Sequence, residues 1–297
     1  MSLSISAVVP TSQSWPEIRP CLDAFLAEAR ELGAEVIVLD PHGRGLPADA
    51  ERRYPGVVHL TEPGASIFRM RQVGLSVARG DVVAITEDHC VPPSGWLGRH
   101  LAAHREHPEV AAVAGPVKNG CTWRLIDWAI FLQNHARWFP PVPSGERRDA
   151  DRANISYKRR VLPRGPSPEG RDDPSFDQGL IERGERYWLD GGNVVEHRQS
   201  LGLRRTIALE FHVGRSVAGL QVTGGMPWRR RITHLAGSPL IAAINLRAVS
   251  RAVLGRRVFP RRALASLPLA PLVSIALAAG FLAGYAAGPG TSPSKLL

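Results

Sequence analysis

Apolar and polar positions follow two different periods over the first ninety residues of the chain. Ser4 to Val9 is a short run of β-type residues, Ile18 to Leu32 carries apolar residues at helical spacing, and Glu35 to Leu39 is again strand-like. Val57 to Leu60 predicts a third strand, Ile67 to Ala78 a helix, and Val82 to Thr86 a fourth strand that runs straight into Glu87, Asp88 and His89. Strands alternating with helices predict an α/β domain, a mostly parallel sheet flanked by helices. In open sheets of this kind ligands bind beyond the carboxyl ends of the strands, so the polar residues that follow these strands become the site candidates. Phe139 to Arg152 and Pro163 to Pro174 are rich in Pro, Gly and charge and read as loops.

The pattern changes towards the C-terminus. Ile232 to Leu254 is apolar but punctuated by Arg247 and Arg251, which predicts an amphipathic helix lying in a membrane interface, with a second span as the alternative. Leu264 to Gly288 reads LASLPLAPLVSIALAAGFLAGYAAG, and no charged residue occurs between Ala263 and Ser294. That exceeds the roughly 20 residues a spanning helix needs. A buried Ala/Leu-rich core helix is the competing reading. The predicted organisation is therefore a catalytic domain over 1–225, a basic amphipathic segment over 226–262, a transmembrane helix over 263–288 and a tail over 289–297.

Charge sharpens this picture. The 297 residues carry a net +10, but from Leu201 onward 13 Lys and Arg stand against the single acid Glu210, whereas the first 200 residues hold 24 basic and 26 acidic groups. A basic excess that abuts an apolar stretch points to an anionic membrane rather than to nucleic acid. Arg256, Arg257, Arg261 and Arg262 precede the apolar segment and only Lys295 follows it, so the positive-inside rule predicts a single crossing of the inner cell membrane with the catalytic domain in the cytoplasm. The N-terminus shows neither a basic leader nor a long apolar run, in keeping with a cytosolic first domain. Cys21, Cys90 and Cys121 are too few and too unpatterned for a disulfide framework.

The triplet Glu87-Asp88-His89 offers carboxylates and an imidazole where a strand meets the cleft, groups able to hold a divalent ion against a diphosphate; a solvated turn is the bland alternative. The surrounding residues decide the matter. VVPT at Val8 to Thr11, EVIVLD at Glu35 to Asp40, RMRQVGLSVARGDVVAITEDHCVPPSGWL at Arg69 to Leu97 and ANISYKRRVL at Ala153 to Leu162 occur in an order that resembles the family 2 glycosyltransferases of GT-A fold. Asp172-Asp173, Gly184 and His197 follow in the family's sequence, so the likeness covers Ile5 to about Gly219.

The resemblance implies a Rossmann-like GT-A domain and an enzyme of glycan biosynthesis that takes a nucleotide sugar as donor. It implies that Pro10, Thr11 and Asp40 hold the nucleoside, that Arg71 lies near the diphosphate with Glu87 and Asp88, and that Glu87, His89 and His197 serve a divalent metal. Asp173 becomes the implied base and Asp172 its supporting acid. Aligning Pro92 and Trp96-Leu97 with the family's downstream residues puts Glu87 and His89 where it usually has Asp-x-Asp. A nitrogen ligand in that pair suits Mn²⁺ better than Mg²⁺. The implied reaction is an inverting transfer to a lipid-linked, membrane-proximal or glycan acceptor. Two other classes compete with it: a catalytically silent nucleotide-sugar binding or scaffold protein, and a nucleotidyltransferase, for which no glycine-rich, lysine-containing triphosphate loop is present near the N-terminus. Glu210 to Gly219 resembles the family's region after the histidine, with Arg215 offered to a phosphate or a membrane surface.

Overall fold

The computed structural model of the chain describes residues 3–12, 17–43, 48–163, 176–255 and 259–296. From the N-terminus the chain runs β1 (Ile5–Pro10), α1 (Arg19–Glu31), β2 (Glu35–Asp40), α2 (Ala48–Arg53), β3 (Val57–Thr61), α3 (Ile67–Val77), β4 (Val82–Thr86) and β5 (Cys90–Val91). It continues through α4 (Trp96–Glu106), β6 (Ala112–Ala114), β7 (Val117–Asn119), α5 (Leu125–His135), β8 (Gly145–Arg147), β9 (Asn154–Lys158), α6 (Phe176–Glu182), β10 (Tyr187–Leu189) and β11 (Val195–His197). Then come α7 (Leu203–Thr223), α8 (Trp228–Leu254), α9 (Arg261–Ser266) and α10 (Ala270–Ala287). Two compact units result, Met1–Lys118 with Trp138–Arg198, and Asn119–Arg137 with Gln199–Leu296.

The first unit is built on a sheet of order β3-β2-β1-β4-β9-β6-β10-β8. The pairs β3-β2, β2-β1 and β1-β4 are parallel, as is β10-β6, while β9 and β8 run antiparallel to their neighbours. Strands β1 and β4 are buried along their whole length. Their largely apolar sequences are what a strand covered on both faces requires. Helix α3 closes on the sheet through Met70, Val73 and Leu75, which join Val8, Ile37, Leu39 and Ile85 in one core. Gly74 permits this approach, because a β-carbon there would fall 2.3 Å from Cγ1 of Val8. The helix begins at Ser66, whose hydroxyl accepts from the amide of Arg69 at 3.2 Å and satisfies one of the free donors at the first turn. The strands and helices predicted over Ser4 to Thr86 are thus found within a residue or two of their expected ends.

Other parts depart from expectation. The stretch Phe139 to Arg152, read as loop, contains the edge strand β8. A second sheet of order β5-β11-β7, made of two- and three-residue strands, has no signature in the hydrophobic pattern. Asp172 and Asp173 lie outside the described residues.

In the second unit α8 and the Arg261–Ala287 segment are each 27 residues long, with mean hydropathy of 1.2 and 1.9, sufficient in length and composition to cross a membrane. Helix α7, which the sequence reading assigned to the catalytic domain, packs along α10 instead. Small residues make that contact close: a β-carbon on Gly280 would fall 2.1 Å from the carbonyl oxygen of Phe211, and one on Gly284 would fall 2.6 Å from that of Arg215. Arg215 donates to the carbonyl of Gly288 at 3.2 Å. Facing α5, Glu210 accepts from Asn134 Nδ2 at 3.0 Å, while its Oε2 is buried without a hydrogen-bond partner among the described residues. Burial pushes the Glu210 carboxyl up from 4.5 to about 7, against the pull of the Asn134 bond.

That carboxyl favours folding when neutral. Its contribution is fully present below the unfolded value of 4.5 and is lost as pH rises through about 7. Replacing Glu210 by Gln removes the penalty, so E210Q should be more stable than the parent at pH 8 by about 3 kcal/mol, with the difference closing near pH 4.5, the unfolded value. Thermal unfolding of both proteins across that range tests it; a constant difference at all pH values refutes it.

Candidate active site

The carboxyl ends of β1, β2 and β4 share one edge of the sheet, with Pro10 opposite Leu39 and Val8 opposite Ile85. Residues just beyond them form the site. Asp88 is buried at 2% exposure, and a buried carboxylate must gather donors. Its Oδ2 accepts from the Thr11 hydroxyl at 2.8 Å and from the Ser12 amide at 2.6 Å. Its Oδ1 lies 2.8 Å from Nδ1 of His89. The turn after β1 and the turn after β4 are thereby joined through one side chain.

His89 carries the connection onward. Its Nε2 is 2.9 Å from Nε2 of His197 and 3.2 Å from Oε2 of Glu87, and the two imidazole rings meet edge to face at 86°. His197 Nε2 is itself 3.4 Å from the same Glu87 oxygen. The other Glu87 oxygen is paired with Arg71, one helical turn beyond the Ser66 cap. The two histidines stand 108 positions apart in sequence. What delivers His197 is the small second sheet, where β11 lies antiparallel to β5 with His197 opposite Cys90.

Burial alone would lower the His89 pKa, but hydrogen bonds to Asp88 and Glu87 and the charges of both carboxylates raise it to about 10. Burial alone would raise Glu87, yet hydrogen bonds from His197 and His89 and the Arg71 charge hold it well below the usual carboxylate range. Asp88 behaves alike: burial raises it, and its bonds to His89, Thr11 and Ser12 outweigh burial and lower it. At neutral pH the cluster is therefore two carboxylates faced by a guanidinium and an imidazolium. Two imidazole nitrogens at 2.9 Å share one proton, so one of them donates and the other accepts.

Carboxylate oxygens and imidazole nitrogens gathered this closely are groups that can hold a cation. One ligand atom each from Glu87, Cys90 and His197 lies within 4.8 Å of the others. The Glu87 oxygen and the His197 nitrogen can serve Mn²⁺, whereas a thiol ligand would favour a softer ion such as Zn²⁺. Cys90 was not among the sequence candidates, because cysteines were weighed by their spacing from other cysteines. Burial and the nearby negative charge of Glu87 push its thiol well above the ordinary value.

The remaining candidates sit as follows. Pro10 ends β1, and Thr11 donates its amide to Leu39 at 2.9 Å. Asp40 ends β2; its Oδ1 accepts from the His42 amide at 2.7 Å and its Oδ2 lies 3.8 Å from His59, so it shapes its own turn. Arg71 also borders a cavity of ≈ 110 Å³ between α3 and α6, lined by Phe68, Leu75, Ile85, Tyr157 and Phe176. Asn154 emerges as a supporting residue: wholly buried, it accepts from the Trp96 indole at 2.9 Å and donates to the carbonyls of Pro116 and Asn193 at 3.1 and 2.6 Å. The sequence motif that contains it singled out the segment without that role.

Residues 6–160, just over half of the chain, match the sequence model of Glycosyl transferase family 2. The chain belongs to that family. Among solved structures, GalNAc-T7 with UDP, GalNAc and Mn²⁺ is similar at 14% identity and a TM-score of 0.52, over 67% of this chain and 44% of that one. The mannosyltransferase PcManGT from Pyrobaculum calidifontis, in complex with GDP-Man and Mn²⁺, is similar at 18% identity and a TM-score of 0.55, over 95% of this chain and 88% of that one. Likenesses at these identities concern the fold, and the chain spans less than half the length of GalNAc-T7. No curated protein sequence matches the chain.

The imidazolium has a measurable signature. In the metal-free protein His89 should titrate near 10, and D88N, which deletes one of its two carboxylate partners, should bring the midpoint down by about one unit or more. Imidazole ¹⁵N chemical shifts followed over pH give the answer; an unchanged midpoint in a folded D88N protein contradicts the charge pattern described.

Proposed function

We propose that this protein is an inverting glycosyltransferase that moves a sugar from a nucleotide-diphosphate sugar to a lipid-linked or membrane-proximal acceptor at the cytoplasmic membrane face. The observation that carries the reading is the meeting of Arg71, Glu87, His89 and His197 at the rim of the sheet, beside a Thr11 hydroxyl tied to Asp88. Cations and imidazoles gathered there are what a departing diphosphate requires, since charge stabilisation already in place needs no rearrangement during reaction. GalNAc-T7 and PcManGT, both solved with Mn²⁺ and with UDP or GDP-Man, lend support to a divalent ion and a nucleotide sugar.

A divalent ion held by Glu87 and His197, with Cys90 or His89 beside them, would neutralise charge on the leaving diphosphate. Thr11, Pro10 and Asp40 line the strand ends where the nucleoside would lie. Arg71 would meet the diphosphate, exchanging its Glu87 partner for a phosphate oxygen. Asp173, supported by Asp172, takes the proton of the acceptor hydroxyl; that oxygen bonds to the anomeric carbon as the bond to the diphosphate breaks, and one such displacement inverts the centre. These two roles rest on the family motif alone.

A general base is typically worth about 10²- to 10⁴-fold in rate. D173N should therefore lose transfer by about that factor while its thermal shift with the donor stays close to that of the parent; full turnover by a folded D173N protein overturns the base assignment. A panel of common nucleotide sugars, tested with and without Mn²⁺, identifies the donor through the stabilisation that a native-state ligand confers. A second reading, donor binding without turnover, draws on the Arg71–Glu87 pair that already satisfies the carboxylate at the Asp-x-Asp position. Binding across the panel with neither transfer nor hydrolysis would favour it.

A further inference from the structure

The helical unit carries information about how the protein meets a membrane, and it does so independently of the sugar-transfer reading. Helices α7 and α10 face one another in parallel: Phe211 lies against Gly280, Arg215 against Gly284, and Gly219 against Gly288 and Pro289. The facing positions keep a nearly constant step along both helices. Extended towards their N-terminal ends, that step sets Arg204 and Arg205 level with Val273 and Ser274. Both arginines are exposed, and the level they occupy is the middle of the uncharged stretch between Ala263 and Gly288.

A bilayer crossing by the whole Arg261–Ala287 segment with α7 in place would therefore carry two exposed guanidinium groups to mid-depth, where charged side chains are costly. Peeling α7 away would forfeit a contact so close that Gly280 and Gly284 have no room for a β-carbon. The same bundle offers a different surface. On α8 the exposed Trp228, Ile232, Leu240, Ile244 and Leu254 fall within an arc of about 160° at 100° per residue. Arg229, Arg247 and Arg251 are exposed on the same arc, and the Arg229 guanidinium sits 5.4 Å from the centre of the Trp228 ring. Apolar side chains with tryptophan and arginine interleaved belong at the depth of lipid headgroups, where long cationic side chains reach phosphates while their stems stay in apolar surroundings.

We infer that the helical unit seats on one leaflet of an anionic membrane through the exposed face of α8, without crossing the bilayer. This replaces the single crossing that the basic flank of the apolar segment predicts. The net charge supports it: beyond Leu201 the sequence holds 13 basic residues against one acid, Glu210, which is buried.

Topology and charge dependence are separately testable on the full-length chain. With Cys121 changed to Ser and the buried Cys21 and Cys90 kept, single reporters T223C, L254C and S294C are treated with a membrane-impermeant maleimide in sealed vesicles of each orientation. Seating on one leaflet predicts that T223C and S294C label from the same side and that L254C never labels from the opposite one. Labelling of S294C from the side opposite T223C establishes one crossing, and labelling of L254C opposite both establishes a hairpin of two; either overturns the inference. Flotation with phosphatidylcholine vesicles, with and without phosphatidylserine, reads the headgroup contact. Each arginine near an anionic surface contributes about 1 kcal/mol, so R229S/R247S/R251S should float on the anionic vesicles with partitioning reduced tenfold or more. Equal partitioning of parent and variant, or of the parent on neutral and anionic vesicles, overturns the proposed contact.

Discussion

The buried carboxylate of Asp88 is the constraint from which the rest of the site follows. A charge with 2% exposure is tolerated only when donors surround it, since removing one partner of a buried ionic group costs several kcal/mol. The donors come from three directions: the hydroxyl of Thr11, the amide of Ser12 and the imidazole of His89. Because Thr11 and Ser12 follow β1 and Asp88 follows β4, and these strands are adjacent and parallel, satisfying the carboxylate fixes the relative height of both turns. His89 is then oriented by its Nδ1 bond, and its Nε2 points at His197 and Glu87.

Charges alternate along the resulting chain of contacts, from Arg71 to Glu87 to His89 to Asp88. At rest each is compensated by its neighbour, which explains how so many ionised groups share a poorly solvated corner. The arrangement is also responsive, because an incoming dianion such as the diphosphate of the proposed donor finds cations whose present partners are themselves linked to further donors. The helix that carries Arg71 is held on the sheet by Gly74 and capped by Ser66, so the guanidinium is presented by a rigid element.

Much of this was visible in the residues themselves. Strands β1 to β4 and helices α1 and α3 follow directly from the periodicity of Ser4 to Thr86, because buried parallel strands are long apolar runs and their connecting helices are amphipathic. The ordered motifs gave Thr11, Arg71, Glu87, Asp88, His89 and His197, and the structure gathers these at one rim. Cys90 escaped notice because cysteines were weighed by their spacing from one another, and its distant neighbour His197 arrives through β11, three residues long and too short to register as a strand. The packing of α7 on α10 was equally hidden: it depends on glycines spaced four apart on one helix meeting Phe211, Arg215 and Gly219 on another, a match between two distant segments that no single window contains. Asn154 illustrates the converse case, a residue singled out by its motif whose work of tying Trp96, Pro116 and Asn193 together appears only in three dimensions.

His197 reaches its place through a backbone ladder, paired across from Cys90 with Glu196 opposite Val91. The intervening stretch from Trp96 to Asn193 contains α4, the antiparallel strands, β7 and the segment bearing Asp172 and Asp173, and the imidazole is held between the two short strands β5 and β7 that flank β11. Insertions, deletions or rewritten loops between the strands of that stretch can accumulate without displacing the histidine from its carboxylate, provided both short ladders survive. Such an arrangement leaves the loops between those strands free to diverge while the cluster at the rim keeps its shape.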